Sequence, residues 1–471
     1  MRLRLMIGWL VVLSLVAALG YAQQPPGQGA AAATQAVQAP PPAAQVVRLS
    51  LADALDLARR SSPALRTVMN DRWITTSQER SSLLNLLTPS LSFGYGARHT
   101  AAGTSSFFQG GLAFVQPSAA STGSSWSLSL DYTLSGSTVA NRGLAAAQAR
   151  ATQADVAGAQ TTLETGVRTA YLNLLQSRAQ EALTHQALER AVEALNLAQA
   201  RYAVGQATLI DVRRAEVDSG TAAVNVLTAS QAVNNATLSL FQVIGVPAPE
   251  NATVEPTDTF SVTPPTFNQD DLINLALEEN PTLKALRARE ASAHWSTRAA
   301  YSQYLPSLNL SGSYGGYHQS ASALGVAGDS GYVPSYSYAG RNPVAVSLFV
   351  SVPLYDGLSR ETQIQQARAA EDDLTQSIRA GELNLRASVT SAYLALIADY
   401  QKIALQDANK RASEEALDLA TQRYRVGSGS YLELLDARLA ANQADADYVT
   451  AVYDYHKAVA TLENAVGRPL Q

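Results

Sequence analysis

Arg201-Tyr-Ala-Val-Gly-Gln-Ala-Thr-Leu-Ile-Asp-Val212 and Arg423-Tyr-Arg-Val-Gly-Ser-Gly-Ser-Tyr-Leu-Glu-Leu434 are one stretch written twice. Each follows a long amphipathic helical pattern, breaks at a glycine (Gly205, Gly427), and restarts a helical pattern about three residues later, as a helical hairpin does. Each stretch is therefore a hairpin tip. Tyr202 and Tyr424, Gly205 and Gly427, and Ala215 and Ala437 all stand 222 positions apart. The register holds without a gap along both flanks. Leu163, Val167, Ala170 and Leu174 match Leu385, Val389, Ala392 and Leu396, and Leu240, Gly245 and Pro247 match Leu462, Gly467 and Pro469. The expectation is two halves on one plan.

The 471 residues would allow two or three ordinary domains, but the duplication argues for one architecture with two internal repeats, over 49–247 and 270–471. A net charge of -5 gives no reason to expect a polyanionic partner, so nucleic acid is not expected. Cysteine is absent. Disulfides, thiolate metal sites and a lipidated cysteine are excluded together.

Residues 1–22 carry Arg2 and Arg4, an apolar run over 5–19, and then Gly20-Tyr21-Ala22. This reads as a cleaved signal peptide, too short in its apolar run to span a bilayer. Residues 23–48 are rich in Pro, Ala and Gln and read as a flexible linker. Ser50 is the expected N-cap of the next helix, with a break at Pro63. A counterpart opens at Asp270 and Asp271, with Pro281 in the place of Pro63.

Both halves then change period. Leu91, Phe93 and Tyr95 alternate with Ser92 and Gly94, residues 99–124 form a Gly, Ser, Thr and Ala-rich loop, and Leu128, Leu130, Tyr132 and Leu134 alternate with small polar residues. The second half repeats this: Leu308 and Leu310 lead to Tyr314, a loop follows over 318–342, and Val344 to Leu354 alternate again. These are two β-hairpins, over 91–135 and 308–354, with one apolar and one small polar face. Strands of roughly ten residues cross a bilayer when tilted. The tyrosines Tyr95, Tyr132, Tyr314, Tyr317 and Tyr355 are expected to form an interfacial girdle. Four strands cannot close a barrel, so a barrel needs several chains.

Proline is missing from 139–203 and 360–425, and about 65 helical residues reach on the order of 100 Å. Return helices end at Gly245-x-Pro247 and Gly467-x-Pro469, and a Pro and Thr-rich linker over 248–269 joins the halves. Abundant alanine on more than one face suits a cylinder in which each helix has two neighbours. Asp211, Glu433 and Asp436 stand near the starts of the return helices, with Glu433 and Asp436 one turn apart on one face. Acids there either favour the positive helix end, by about 0.3–1 kcal/mol each, or charge a constriction. The histidines His99, His185, His294, His318 and His456 have no ligand spacing, and no nucleophile elbow or phosphate loop appears. No metal, cofactor or enzymatic chemistry is expected.

The order of export signal, helix, β-hairpin, very long helix, tip and return helix, then all of it again, resembles the TolC-like outer membrane efflux protein family. The likeness rests on Arg201-Tyr202-x-x-Gly205 with Asp211, on Arg423-Tyr424-x-x-Gly427 with Leu435-Asp436-Ala437, and on Leu-Pro-Ser at 305–307. It implies a homotrimer whose chains together build a twelve-stranded outer membrane β-barrel continuous with a twelve-helix periplasmic α-barrel. The function it implies is that of a passive exit duct for efflux or type I secretion, in the outer membrane of a Gram-negative-type cell and in contact with its lipid. The tips, at Val204, Gly205, Val426 and Gly427, would dock a periplasmic adaptor of an inner membrane transporter. The resemblance makes Glu433 and Asp436 inner acidic rings of a gate and gives Tyr202, Tyr424 and Asp211 to tip closure. Gly429 stands where an arginine is expected, and Arg425 is nearby. The alternative from another class is a coiled-coil structural protein of the periplasm or cell surface.

Overall fold

Serine and proline place the first breaks in the chain. The Ser50 hydroxyl accepts from the Asp53 N–H while the Asp53 carboxylate takes the Ser50 N–H, a capping box that starts α1 (Leu51–Ser61). Proline has a fixed φ and no N–H to lose, so Pro63 opens α2 (Pro63–Leu87) behind the cap Ser62. The computed structural model describes residues 45–248, 252–258, 260–325 and 332–470. The expected signal 1–22 and most of the expected linker 23–48 lie outside them.

Two stretches expected to be irregular pair with each other. Gln45–Leu49 forms strand β1, and it lies beside a strand at Ala252–Pro256 inside the expected linker 248–269. Both pieces carry β-branched residues, but their partners are some 200 positions away and local reading does not see them. Asp258 ties this sheet to the helices: its Oδ2 accepts from the Leu51 N–H at 2.6 Å and from the Tyr171 hydroxyl at 2.8 Å. The next break is also displaced. The helix expected to open at Asp270 opens one residue earlier, at Gln269, behind the cap Asn268.

The expected loop 99–124 is a second hairpin. After α2 come β2 (Ser90–Thr100), β3 (Gly103–Gln109), β4 (Leu112–Ser118) and β5 (Ser121–Leu134). β3 and β4 meet at Gly110 and Gly111, both at positive φ, the backbone that a tight two-residue turn requires. Then follow α3 (Gly136–Ala203), α4 (Leu209–Ile244), the strand Ala252–Pro256 as β6, α5 (Gln269–Glu279) and α6 (Pro281–Ser302). In the second half β7 (Ser307–Ala321) and β10 (Tyr336–Ser351) are longer than expected, with the short β8 (Leu324–Gly325) and β9 (Tyr332–Val333) between them. Val352 and Leu354 lie beyond β10, so the hairpin expected to run to 354 ends at Ser351. The buried Arg360 takes the Pro353 carbonyl at 3.0 Å and Asp356 at 2.9 Å, which draws the chain off the sheet toward the next helix. α7 (Ser359–Val426) and α8 (Tyr431–Val466) complete the chain.

The main sheet has the order β10–β7–β5–β2, antiparallel throughout, and both outer strands are open. Residues paired across strands share a face. Leu91, Phe93 and Tyr95 therefore lie with Leu130, Leu128 and Trp126, and Ser92, Gly94 and Gly96 with Ser129, Ser127 and Ser125. Tyr317 pairs with Ser125 and so sits on the serine face, opposite to Tyr95, Tyr132 and Tyr314. The expected girdle loses this member because the sequence order alternates faces and 317 is odd where 314 is even. Tyr355 lies beyond the strands.

The helical part rests on close approach. α3 and α7 have 68 residues each and α4 and α8 have 36. α3 packs on α4, on α8, and higher up on α2 and α6; α7 packs on α8 and α6. Alanines fill these seams: Ala147, Ala151, Ala191 and Ala198 of α3 are buried. Gly143 sits under Trp295, where a Cβ would come within 2.2 Å of the indole. Charges cross the α3–α8 seam as well, in the pairs Arg168–Glu463 and Arg190–Asp445. Among the described residues no helix is long and apolar enough to cross a membrane.

Candidate gate at the helical tips

The two tips turn by different devices. α3 ends at Ala203, Gly205 takes φ +74°, and Thr208 and Asp211 close a reciprocal capping box at the start of α4. Thr208 donates its N–H and hydroxyl to Asp211 Oδ2 at 3.0 and 2.8 Å. At the second tip Gly427 takes φ +85°, and the Ser428 and Gly429 N–H groups return to the Arg423 carbonyl at 2.9 and 3.0 Å. Ser430 caps α8 by accepting from the Glu433 N–H at 3.2 Å. The Glu433 carboxylate turns away from its own cap and pairs with Arg423.

Between the tips lies a small core of Ala194, Ala198, Ala215, Ala420, Tyr424, Tyr431 and Leu434. Tyr424 and Tyr431 are both 2% exposed and meet edge to face at 5.8 Å. The Arg201 guanidinium lies 4.4 Å above the Tyr424 ring, donates to the Tyr424 carbonyl at 2.5 Å and to the Gln206 carbonyl at 3.0 Å. One arginine thus binds the turns of both tips. Among the described residues the Tyr424 and Tyr431 hydroxyls have no hydrogen-bond partner. Burial raises both: it outweighs the pull of Arg201 on Tyr424, and with Tyr424 and Asp211 nearby it pushes Tyr431 up to about 12.

The expected site residues are therefore only partly brought together. Asp211 serves its own capping box and makes no hydrogen bond to Tyr424; Tyr202 is 47% exposed, outside the core. Glu433 is held by Arg423, whereas Asp436 is exposed and makes no ion pair among the described residues. Gly429 occupies a tight place: a Cβ would meet Arg423 Cβ at 3.2 Å and Glu433 Oε2 at 3.3 Å. A side chain at 429 would therefore press on that pair. Arg425 is exposed and makes no ion pair among the described residues, so there it does not take the place of the expected arginine. Arg201, Arg423 and Tyr431 carry more of the tip than sequence reasoning assigned them. The signal was there, since arginine precedes tyrosine in both copies. Val204 and Val426 are 68% and 77% exposed at the turns.

Just above the tip core Arg438 is buried and pairs with Asp218 of α4, and desolvation lowers its pKa from the ordinary arginine value. It connects α8 to the first hairpin. Among the described residues no group of acids and histidines could hold a metal.

The sequence model of the outer membrane efflux protein family matches residues 76–246 and 272–468. The chain belongs to that family, and it is an outer membrane protein with a periplasmic portion. It is 25% identical to the outer membrane protein TolC of Vibrio cholerae over 89% of this chain and 90% of that one. It is 26% identical to TolC of Escherichia coli over 65% of this chain and 62% of that protein's length. The crystal structure of VceC from Vibrio cholerae superposes with a TM-score of 0.70 at 21% identity, covering 89% of this chain and 97% of that one. The fold is that of the outer membrane channels.

Proposed function

We propose that the protein is the outer membrane exit duct of a tripartite efflux or type I secretion system, passive and gated at its periplasmic tips. The observation that carries the reading is the four-stranded sheet, open at both β2 and β10, with Leu91, Phe93 and Tyr95 and then Val344, Val346 and Leu348 exposed. Open apolar edges require a partner. A homotrimer supplies it, because β2 of one chain meets β10 of the next and three sheets close a twelve-stranded barrel in outer membrane lipid. The helices agree. Val217, Val224 and Leu227 on α4 and Leu394, Leu405 and Leu419 on α7 are exposed on the outer helices of the layer, and a twelve-helix cylinder covers them.

In this reading the two halves are repeats of one plan, and the tips form the closed periplasmic end. Asp436 is the free acid of the gate, with Glu433 held in reserve by Arg423. Val204, Gly205, Val426 and Gly427 present apolar turns to a periplasmic adaptor, which recruits the inner membrane transporter. Family membership speaks against the coiled-coil scaffold. The test is single-channel current of the detergent-purified protein in a planar bilayer, with and without millimolar divalent cation. Discrete, low, cation-blocked conductance is expected; well-folded protein that forms no channels after tip-opening substitutions overturns the reading.

A further inference from the structure

The serine face of the sheet carries more than small residues near the end farthest from the helices. β5 runs into α3 and β7 leaves α6, so Ser121 and Ala321 mark that far end. There Gly123 pairs with Arg98 on one side and Gln319 on the other, and Gln319 pairs with Tyr338. Ser125 likewise pairs with Tyr317. Arg98, Tyr317, Gln319 and Tyr338 therefore share the serine face.

These groups are arranged and not merely adjacent. The Tyr338 hydroxyl donates to Gln319 Oε1 at 2.9 Å, and the Tyr338 ring meets Tyr317 edge-on at 5.9 Å and stacks on Tyr336 at 5.7 Å. Beside them Gly96, Gly123 and Ser125 leave a concavity of about 360 Å³ bordered by Arg98, Tyr317 and Gln319. Arg98 is exposed, and among the described residues it makes no ion pair or hydrogen bond. A guanidinium with no partner among the described residues, beside a tyrosine ring and over a floor of glycines and serine, fits one ligand chemistry. The cation pairs with a carboxylate, and the tyrosine ring takes a flat aromatic body.

We propose that this concavity is a weak lumenal binding site for planar aromatic carboxylates, repeated three times around the outer end of the pore. The proposal rests on the barrel reading above, which turns the serine face to the lumen. Binding is weak by design, since a conducted molecule has to leave. The site is a last station for cargo at the end of the duct.

The test uses the full-length protein in lipid nanodiscs and ligand-detected fluorine NMR, with 4-fluorobenzoate as probe and 4-fluorocyclohexanecarboxylate as the non-aromatic control. Saturable line broadening in the millimolar range is expected for the aromatic acid, at least five-fold stronger than for the control. Arg98→Gln and Tyr317→Leu should each weaken it five-fold or more. Gly123→Val fills the floor without changing charge, and its Cβ meets nothing nearer than 3.8 Å, so a folded protein with lost binding is expected. Equal broadening in wild type and all three variants, or none in wild type, overturns the site. The barrel reading is checked separately. The chain has no cysteine, so Ser127→Cys and Leu128→Cys report cleanly with a hydrophilic maleimide. Labelling of 127 and protection of 128 supports the lumenal face; the reverse overturns that reading and the site with it.

Discussion

The two helical tips carry the same Arg-Tyr-x-x-Gly motif and use it in opposite ways. In the first tip the arginine is buried and the tyrosine exposed: Arg201 is 9% and Tyr202 47% exposed. In the second the tyrosine is buried and the arginine exposed, with Tyr424 at 2% and the Arg423 side chain at 56%. The cause is position in the layer. α3 lies between α4 and α8, and at the tip it also meets the end of α7, where Arg201 lies over Tyr424. The space between the hairpins is filled by the Tyr424 and Tyr431 rings from one side and the Arg201 guanidinium from the other. Arg423 is left to face its own turn and neutralise Glu433. A repeated motif thus encodes a turn, while its side chains take whatever role the neighbours leave open.

The comparison is broken most directly at the tyrosines. Tyr424→Ala should destabilise the tip by about 3–5 kcal/mol, as for other fully buried aromatics, and Tyr202→Ala by under about 1 kcal/mol. Hydrogen exchange over 194–215 and 417–437 reads both, and equal losses would show that the tips are equivalent. The arginines come next. Arg201→Ala leaves two carbonyls without their donor and should cost about 2–3 kcal/mol, whereas Arg423→Ala removes an exposed pair worth about 1 kcal/mol or less. Protease cleavage at the turns, followed with denaturant, would separate them.

The alkaline response is smaller and has a definite sign. Tyr431 is pushed up to about 12 in the folded tip, above the ordinary tyrosine value near 10. Its contribution is complete below about pH 10 and is lost as pH rises through 12, because the unfolded chain gives up its proton first. Tyr431→Phe should flatten tip stability over that window; an unchanged slope there would assign it to other groups. The smallest effect separates the acids of the gate. Asp436→Ala should weaken divalent-cation block several-fold and Glu433→Ala less, since Arg423 already balances Glu433. Equal weakening in planar-bilayer recordings would mean that the Arg423–Glu433 pair opens in the assembled pore.

The long helices were legible because their signals are local. Apolar spacing, the absence of proline, a glycine at each turn and Gly-x-Pro at each end depend on neighbours within a few residues. The strand pattern was legible for the same reason, apart from the loops. The Gly110-Gly111 turn within 99–124 carries its own signal, since a paired glycine is a hairpin signal, but the small polar residues around it mask the strands on either side. β1 with β6 was not legible, since a strand pair about 200 positions apart leaves no periodic trace in either piece.

By itself, then, the sequence determined the period of each segment, the places where the chain turns, and the membership of the outer membrane efflux protein family through motifs that span most of the chain. It left open which copy of each side chain is buried. Tyr202 and Tyr424 are the same residue in the same motif, and only the packing of α8 against α3 chose between them. The tertiary structure likewise put Tyr317 on the serine face, Arg201 across both turns, and Glu433 on Arg423 instead of free beside Asp436. Burial, ion pairing and hydrogen bonding depend on what lies within a few ångströms in space, and in a chain folded into two long hairpins that neighbour is often more than 200 residues away.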